Sequence, residues 1–227
     1  MSGPLAAIHL LAPGLFGPVP GLELSSAIPS VPRLETLLAR ADSLNWPGGD
    51  LETTIFSFSA LERDPQGDYP AAALRRAGDG TGLDQDYWLQ ANPVHLRADR
   101  DRLLLFGGEE LELSSPEAEQ LTSLVAGHFA AEGWRIEVAS PHRWYLTMDR
   151  IPRIRTRGLD AVYGRNIDQF LPTGPDALYW HGLLNEIQML LHATEVNRKR
   201  EEQGRLGING LWFSGGGRLP GGEIDLP

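Results

Sequence analysis

Apolar residues recur at helical spacing in several stretches of the chain, and they predict most of its elements. Leu183, Leu184, Ile187, Leu190 and Leu191 follow the i, i+3, i+4, i+7, i+8 pattern of a helix with one buried stripe, starting at Ala177 after a turn over 172–176. Arg198, Lys199 and Arg200 are expected to close that helix, and Gly204 and Gly207 to break its register. A second stripe, Leu121, Leu124, Val125, His128 and Phe129, follows Ser115, Pro116 and Glu117. These read as an N-cap, a proline in the first turn and an acid at the helix start, with Gly133 as the stop. Leu34, Leu37 and Leu38 predict a helix over 33–43, and 70–77 predicts another with Pro70 in first position. Residues 51–61 suit a short helix or a strand equally.

Shorter apolar runs predict strands over 7–11, 87–96, 103–106, 110–113, 135–139, 143–148 and 208–213. Gly107 and Gly108 place a hairpin between 103–106 and 110–113. The cationic stretch 150–157 reads as a loop or an edge strand. The order β-β-α-β-β implies antiparallel pairing with a helix on one face. The predicted class is therefore α+β, a mixed, largely antiparallel sheet covered by helices. Residues 1–86 are expected to form an N-terminal α/β segment packed on a main domain of 87–220, with 221–227 a flexible tail.

Composition narrows the chemistry. The 227 residues contain no cysteine, which excludes disulfides and thiolate metal sites. No apolar run approaches the ~20 residues that span a bilayer. The apolar stretch 5–16 lacks a basic flank and is broken by Pro13 and Gly14, so a strand is expected there rather than a signal peptide, and the cytoplasm is the expected compartment. A net charge of −10 argues against nucleic acid as a partner. Lys199 is the only lysine; a biased gene composition and a use of arginine forks for carboxylate or phosphate both account for that.

No nucleophile elbow, Walker A loop or G-x-G-x-x-G is present. Ser214–Gly217 is either an anion nest of backbone N–H groups or a glycine turn leaving a buried strand. His181 and His192 share a helix but stand ~16 Å apart, too far for one ion. His95, Arg97 and Asp99 lie in a charged strand end that is either an ion-paired face or the edge of an anion pocket, and Arg143, between His142 and Trp144, has the same character. Trp212, Phe213, Trp144 and Tyr145 offer a docking face only if they are exposed.

Five ordered motifs carry a resemblance: YWLQANPVHLRADRDRLLLF, PHRWYL, LNEIQMLLH, VNRKREEQG and INGLWFSGGGRLP. Over about 70–220 the chain resembles the RpfE-type bacterial regulatory proteins. More distantly it is similar to the domain inserted in archaeal-type cofactor-independent phosphoglycerate mutases. Residues 93–99, 142–144, 193–200 and 208–217 stand where that domain has its motifs, with Asp99 replacing Asn and Phe213-Ser214 replacing an aromatic and a glycine. The mutases use two divalent metals and a phosphoryl-accepting serine in a second domain, whose motifs this sequence lacks. The resemblance therefore implies a regulatory or small-anion-binding protein without its own metal centre. A mutase-type enzyme, or its substrate-side part, is the alternative, and a protein-interaction module is a third reading. It implies no cofactor and no membrane. The implied partner is a phosphorylated small acid, or a partner protein or metal-bearing domain. The implied anion pocket consists of His95, Arg97, Asp99, Arg143, Asn197, Arg198, Asn209 and Trp212.

Overall fold

A computed structural model describes residues 30–42, 51–59, 61, 63 and 67–221. The chain divides into two compact units, residues 1–48 and 49–227. In the first, α1 (Pro32–Arg40) realises the helix expected over 33–43. Its proline sits in the first turn, where an amide hydrogen has no helical partner to lose. The strand expected over 7–11 and the tail from 222 onward lie outside the described residues.

The second unit is α+β. It begins with α2 (Leu51–Ser57) and α3 (Ala71–Gly78), so the ambiguous stretch 51–61 is helical at its start, and Pro70 is the N-cap of α3 rather than its first residue. Then come β1 (Trp88–Asp99), β2 (Arg102–Gly107), α4 (Ser115–His128), β3 (Arg135–Ser140) and β4 (Arg143–Thr147). The β-β-α-β-β unit is present. A single turn, α5 (Leu159–Val162), precedes α6 (Ala177–His192), α7 (Glu195–Glu202) and β5 (Gly210–Gly217).

All strand pairings in the sheet are antiparallel, and β1 makes three of them. Gln90 faces Ser214 of β5 across one edge and Tyr145 of β4 across the other; Val94 likewise lies between Gly210 and Gly107 of β2. One edge of β1 thus belongs to β5, while β4 and β2 take successive stretches of the other. Pro93 sits mid-strand without a cost in pairing. The Val94 carbonyl accepts from Asn209 N–H on the β5 side, so the missing hydrogen of Pro93 points to the opposite edge, at the gap between β4 and β2.

The sheet is covered on both faces. Leu89, Ala91, Trp144, Leu146, Leu211 and Phe213 pack against the apolar stripes of α4 and α6. On the other face α3 covers Trp88 and Tyr145, while Val162 and Ile167 cover Val94, Leu105 and Trp212. Trp144, Tyr145, Trp212 and Phe213 are all buried, which removes the docking face they would have formed.

Three boundaries differ from expectation, each for a local reason. The hairpin joins β1 to β2 through Arg100, whose φ of 56° makes the turn, whereas 108–111 is a 3-10 turn that buries Leu111. The cap of α4 is Ser114, not Ser115: the Glu117 carboxylate accepts from both its N–H (2.9 Å) and its hydroxyl (2.8 Å). The long helix ends at His192, because the Thr194 hydroxyl donates to Leu191 O (3.0 Å) and accepts from Asn197 N–H (3.3 Å), capping a new helix. Arg198 and Arg200 therefore belong to α7.

Arg200 is fully buried and holds this corner together. It donates to the carbonyls of Leu206 (2.7 Å) and Leu111 and to the Glu117 carboxylate (3.2 Å), which Arg205 also grips at 2.9 Å. Burial works against the charge on Glu117, but Ser114, Arg205 and Arg200 prevail and hold its pKa at about 2. A carboxyl depressed on folding stabilises above its ordinary pKa and loses that contribution as pH falls through the folded value. Stability should therefore drop by about 3 kcal/mol between pH 4.5 and 2 through this group. Urea denaturation of Glu117→Gln at pH 7 should show a loss of at least that size, because Arg200 is left buried without its counter-charge. The difference from the native chain should vanish near pH 2.

Candidate anion-binding site

The stretch 152–158 alternates strictly. Pro152, Ile154, Thr156 and Gly158 are buried, and Arg153, Arg155 and Arg157 are exposed. This is the period of extended chain, so the edge-strand reading of 150–157 is close: Arg155 bridges Thr173, with N–H···O distances of 2.7 and 3.0 Å.

The inward residues pin the segment to the outer edge of β5. Thr156 N–H donates to both oxygens of Asp68 (3.0 and 3.1 Å), and its hydroxyl donates to the same carboxylate. The hydroxyl oxygen accepts from Gly215 N–H at 3.1 Å, and Gly216 N–H also bonds Asp68. Trp212 Nε1 donates to Arg157 O at 2.8 Å. The glycine run is thus neither a turn nor an open nest. It continues β5 along β1, and its outward amides are taken by a threonine and a buried aspartate of the same chain. Gly215 has a φ of 64°, and a Cβ there would come within 2.8 Å of Ala71; one at Gly217 would meet Pro70 Cα at 2.6 Å. The glycines let the start of α3 lie directly on the strand. Burial raises the Asp68 pKa, against the pull of its Thr156 bonds and of Arg63, 3.9 Å away.

Beneath α2 and α3 the same sheet face carries polar residues. Arg75 and Gln90 both donate to Glu52 (3.2 and 3.3 Å), and Arg75 donates to Gln90 (3.2 Å). Asn92 Oδ1 and Ser214 Oγ are buried beside them with no hydrogen-bond partner among the described residues.

The eight residues singled out by the motifs fall into four groups. His95, Asn197 and Asn209 meet at the backbone that enters β5. His95 Nδ1 is 2.7 Å from Gly207 O; Asn197 spans Leu191 O (2.8 Å) and both backbone groups of Ile208 (2.7 and 2.8 Å); Asn209 pairs with Leu96 N–H and O (2.6 and 2.9 Å). Trp212 is 2% exposed, in the core. Arg143 and Tyr145 converge on one oxygen of Asp79, each at 2.7 Å, and Arg198 is tied to Glu195 and Glu202 on its own helix. Arg97 and Asp99 are exposed at the end of β1, with the Arg97 guanidinium 4.5 Å from the centre of the Phe106 ring. Arg97, Arg143 and Arg198 thus have separate sets of partners. Asp68 and Thr156 escaped the sequence reading because 88 positions separate them.

Among known proteins, the chain is 34% identical over 110 residues to a 2,3-bisphosphoglycerate-independent phosphoglycerate mutase of Methanosarcina mazei, covering 48% of this chain and 28% of that protein. It is 24% identical over 190 residues to a probable enzyme of the same name from Geobacter sulfurreducens, covering 81% of this chain and 46% of that one. The solved cofactor-independent phosphoglycerate mutase of Thermoplasma acidophilum shares the fold over 67% of this chain and 43% of its own, with a TM-score of 0.51 and 21% identity. The similarity is to phosphoglycerate mutase, partial and distant. No family model matches. The chain spans less than half the length of these relatives, and none of the three carries the RpfE-type part of the resemblance. Among the described residues no three His, Asp or Glu side chains gather as a metal site. No described helix is long and apolar enough to cross a membrane.

Two buried hydroxyls should respond oppositely to deletion. Thr156→Val strands Gly215 N–H and strips Asp68, and should cost about 2–3 kcal/mol in urea denaturation. Ser214→Ala removes an unpartnered hydroxyl, and should leave stability unchanged or raise it by up to about 1 kcal/mol.

Proposed function

We propose that this chain is the substrate-side part of a phosphoglycerate mutase-type protein and binds a phosphorylated small acid through arginine forks. The observation that carries the reading is the 110-residue match at 34% identity to a protein of that activity, reinforced by the shared fold. The structure contributes a physical basis. Arg155 and Arg157 project from one side of a segment that Thr156, Asp68 and Trp212 hold from the other. Two residues of extended chain separate them by about 7 Å, comparable to the separation of the two anionic ends of a three-carbon phosphoacid. Both residues also interact within the chain, so a ligand's phosphate or carboxylate would compete for the bidentate fork that each guanidinium can present. Arg97 is the motif arginine without a carboxylate partner among the described residues, being exposed and stacked on Phe106.

Calorimetric titration with 3-phosphoglycerate and 2-phosphoglycerate tests the proposal. Saturable binding is expected, weakened at least tenfold by the pair Arg155→Ala/Arg157→Ala. Arg198→Ala should bind as the native chain does, because its guanidinium serves Glu195 and Glu202. An absence of heat with either ligand would overturn the proposal. Binding lost in Arg97→Ala but kept in the double variant would move the site to the end of β1.

A further inference from the structure

A cleft of about 350 Å³ opens on the side of the domain where the end of β4 meets the start of α6. Its floor is aromatic and rigid. Trp134 and Trp180 stack with centroids 6.4 Å apart, and Trp180 meets Phe213 edge-on at 5.0 Å. Met148, Pro152 and Tyr179 form the walls. Such a volume with apolar walls matches the lower range of small-molecule sites.

The charge at its mouth selects the ligand. Among the described residues three lining side chains, Glu132, Asp149 and Asp176, are carboxylates, and Arg150 is the one lining cation. Arg150 is already spent on Asp176 at 2.8 Å, where Arg153 joins it at 3.1 Å. Glu132 and Asp149 are exposed and form no ion pair within the described residues. Gly133, with a φ of 71°, leaves room for one of them: a Cβ at this position would collide with the Asp149 carboxylate, which lies across the turn leading to Trp134. A phosphorylated acid would meet like charge here, so the cleft is not the anion site proposed above.

We infer that this cleft binds a small organic cation, an aromatic or similarly apolar ring carrying an amine. The ring lies between Tyr179, Met148 and the tryptophan floor, and the ammonium sits between Glu132 and Asp149. Ring burial supplies the affinity, and the two carboxylates supply the discrimination of sign.

Phenylethylamine and 3-phenylpropanoate, matched in size and opposite in charge, test this on the full chain. Calorimetry should give a saturable dissociation constant of about a millimolar or below for the amine and at least tenfold weaker binding for the acid. The indole N–H resonances of Trp134 and Trp180 should move with the amine. Both rim carboxylates are exposed, so Glu132→Gln/Asp149→Asn should fold normally. That variant should weaken the amine about tenfold and close the gap to the acid. Equal binding of amine and acid, native affinity in the double variant, or shifts confined to other indoles would overturn the inference.

Discussion

A single twelve-residue strand that must be paired on both edges and covered on both faces sets the terms for everything else in the domain. β1 takes β5 along one edge and shares the other between β4 and β2, so an error in its register would misplace three strands at once. The alternation along it is correspondingly strict. Leu89 and Ala91 face the α4 and α6 layer, while Trp88 and Val94 face the two covers of the opposite side. Between those covers the same side carries Gln90 and Asn92, and there the polar network of Arg75 and Glu52 replaces apolar packing.

Where charges are buried, each is matched by a partner distant in sequence. Arg200 meets Glu117, Asp68 meets Thr156, and Arg76 forms a fork on Glu137 (2.7 and 3.0 Å) while lying over the Trp88 ring. This divides what can be read from the amino-acid order from what cannot. The α4 and α6 stripes, the strand runs at 87–96, 135–139 and 143–148, and the α+β class follow from local periodicity, which is a property of neighbours. The break after His192 was hidden because the apolar stripe of α6 and the cations of α7 read as one helix; a threonine hydroxyl and an asparagine amide end it. Leu111 and Leu113 imitate a strand by alternating, yet Leu111 enters the core from a 3-10 turn and Leu113 from the link to α4. The motif residues were conspicuous through the resemblance that their motifs carry. For Asn197, Asn209 and His95 the polarity serves backbone groups at the entry to β5, and nothing local distinguishes that duty from ligand binding.

The segment 149–158 brings the functional arguments together. Its inward side chains close the edge of β5, its outward arginines face solvent, and its first residues line the acidic cleft. Arg150 and Arg153 are both drawn onto Asp176, whose pKa they lower, Arg153 most of all. The positive and negative surfaces are thus kept distinct within a few residues of chain.

Asn197 has a consequence of another kind. Its amide joins the last turn of α6 to the first residues before β5, so the two ends of the α7 excursion are fastened by one side chain. An excursion closed at its base is insulated from the strand it feeds: the exposed side chains of Glu201 and Glu202 can vary, while Arg200 and Arg205, which both reach Glu117, set its length. Substitutions at those two exposed positions would be accommodated at little cost to the sheet.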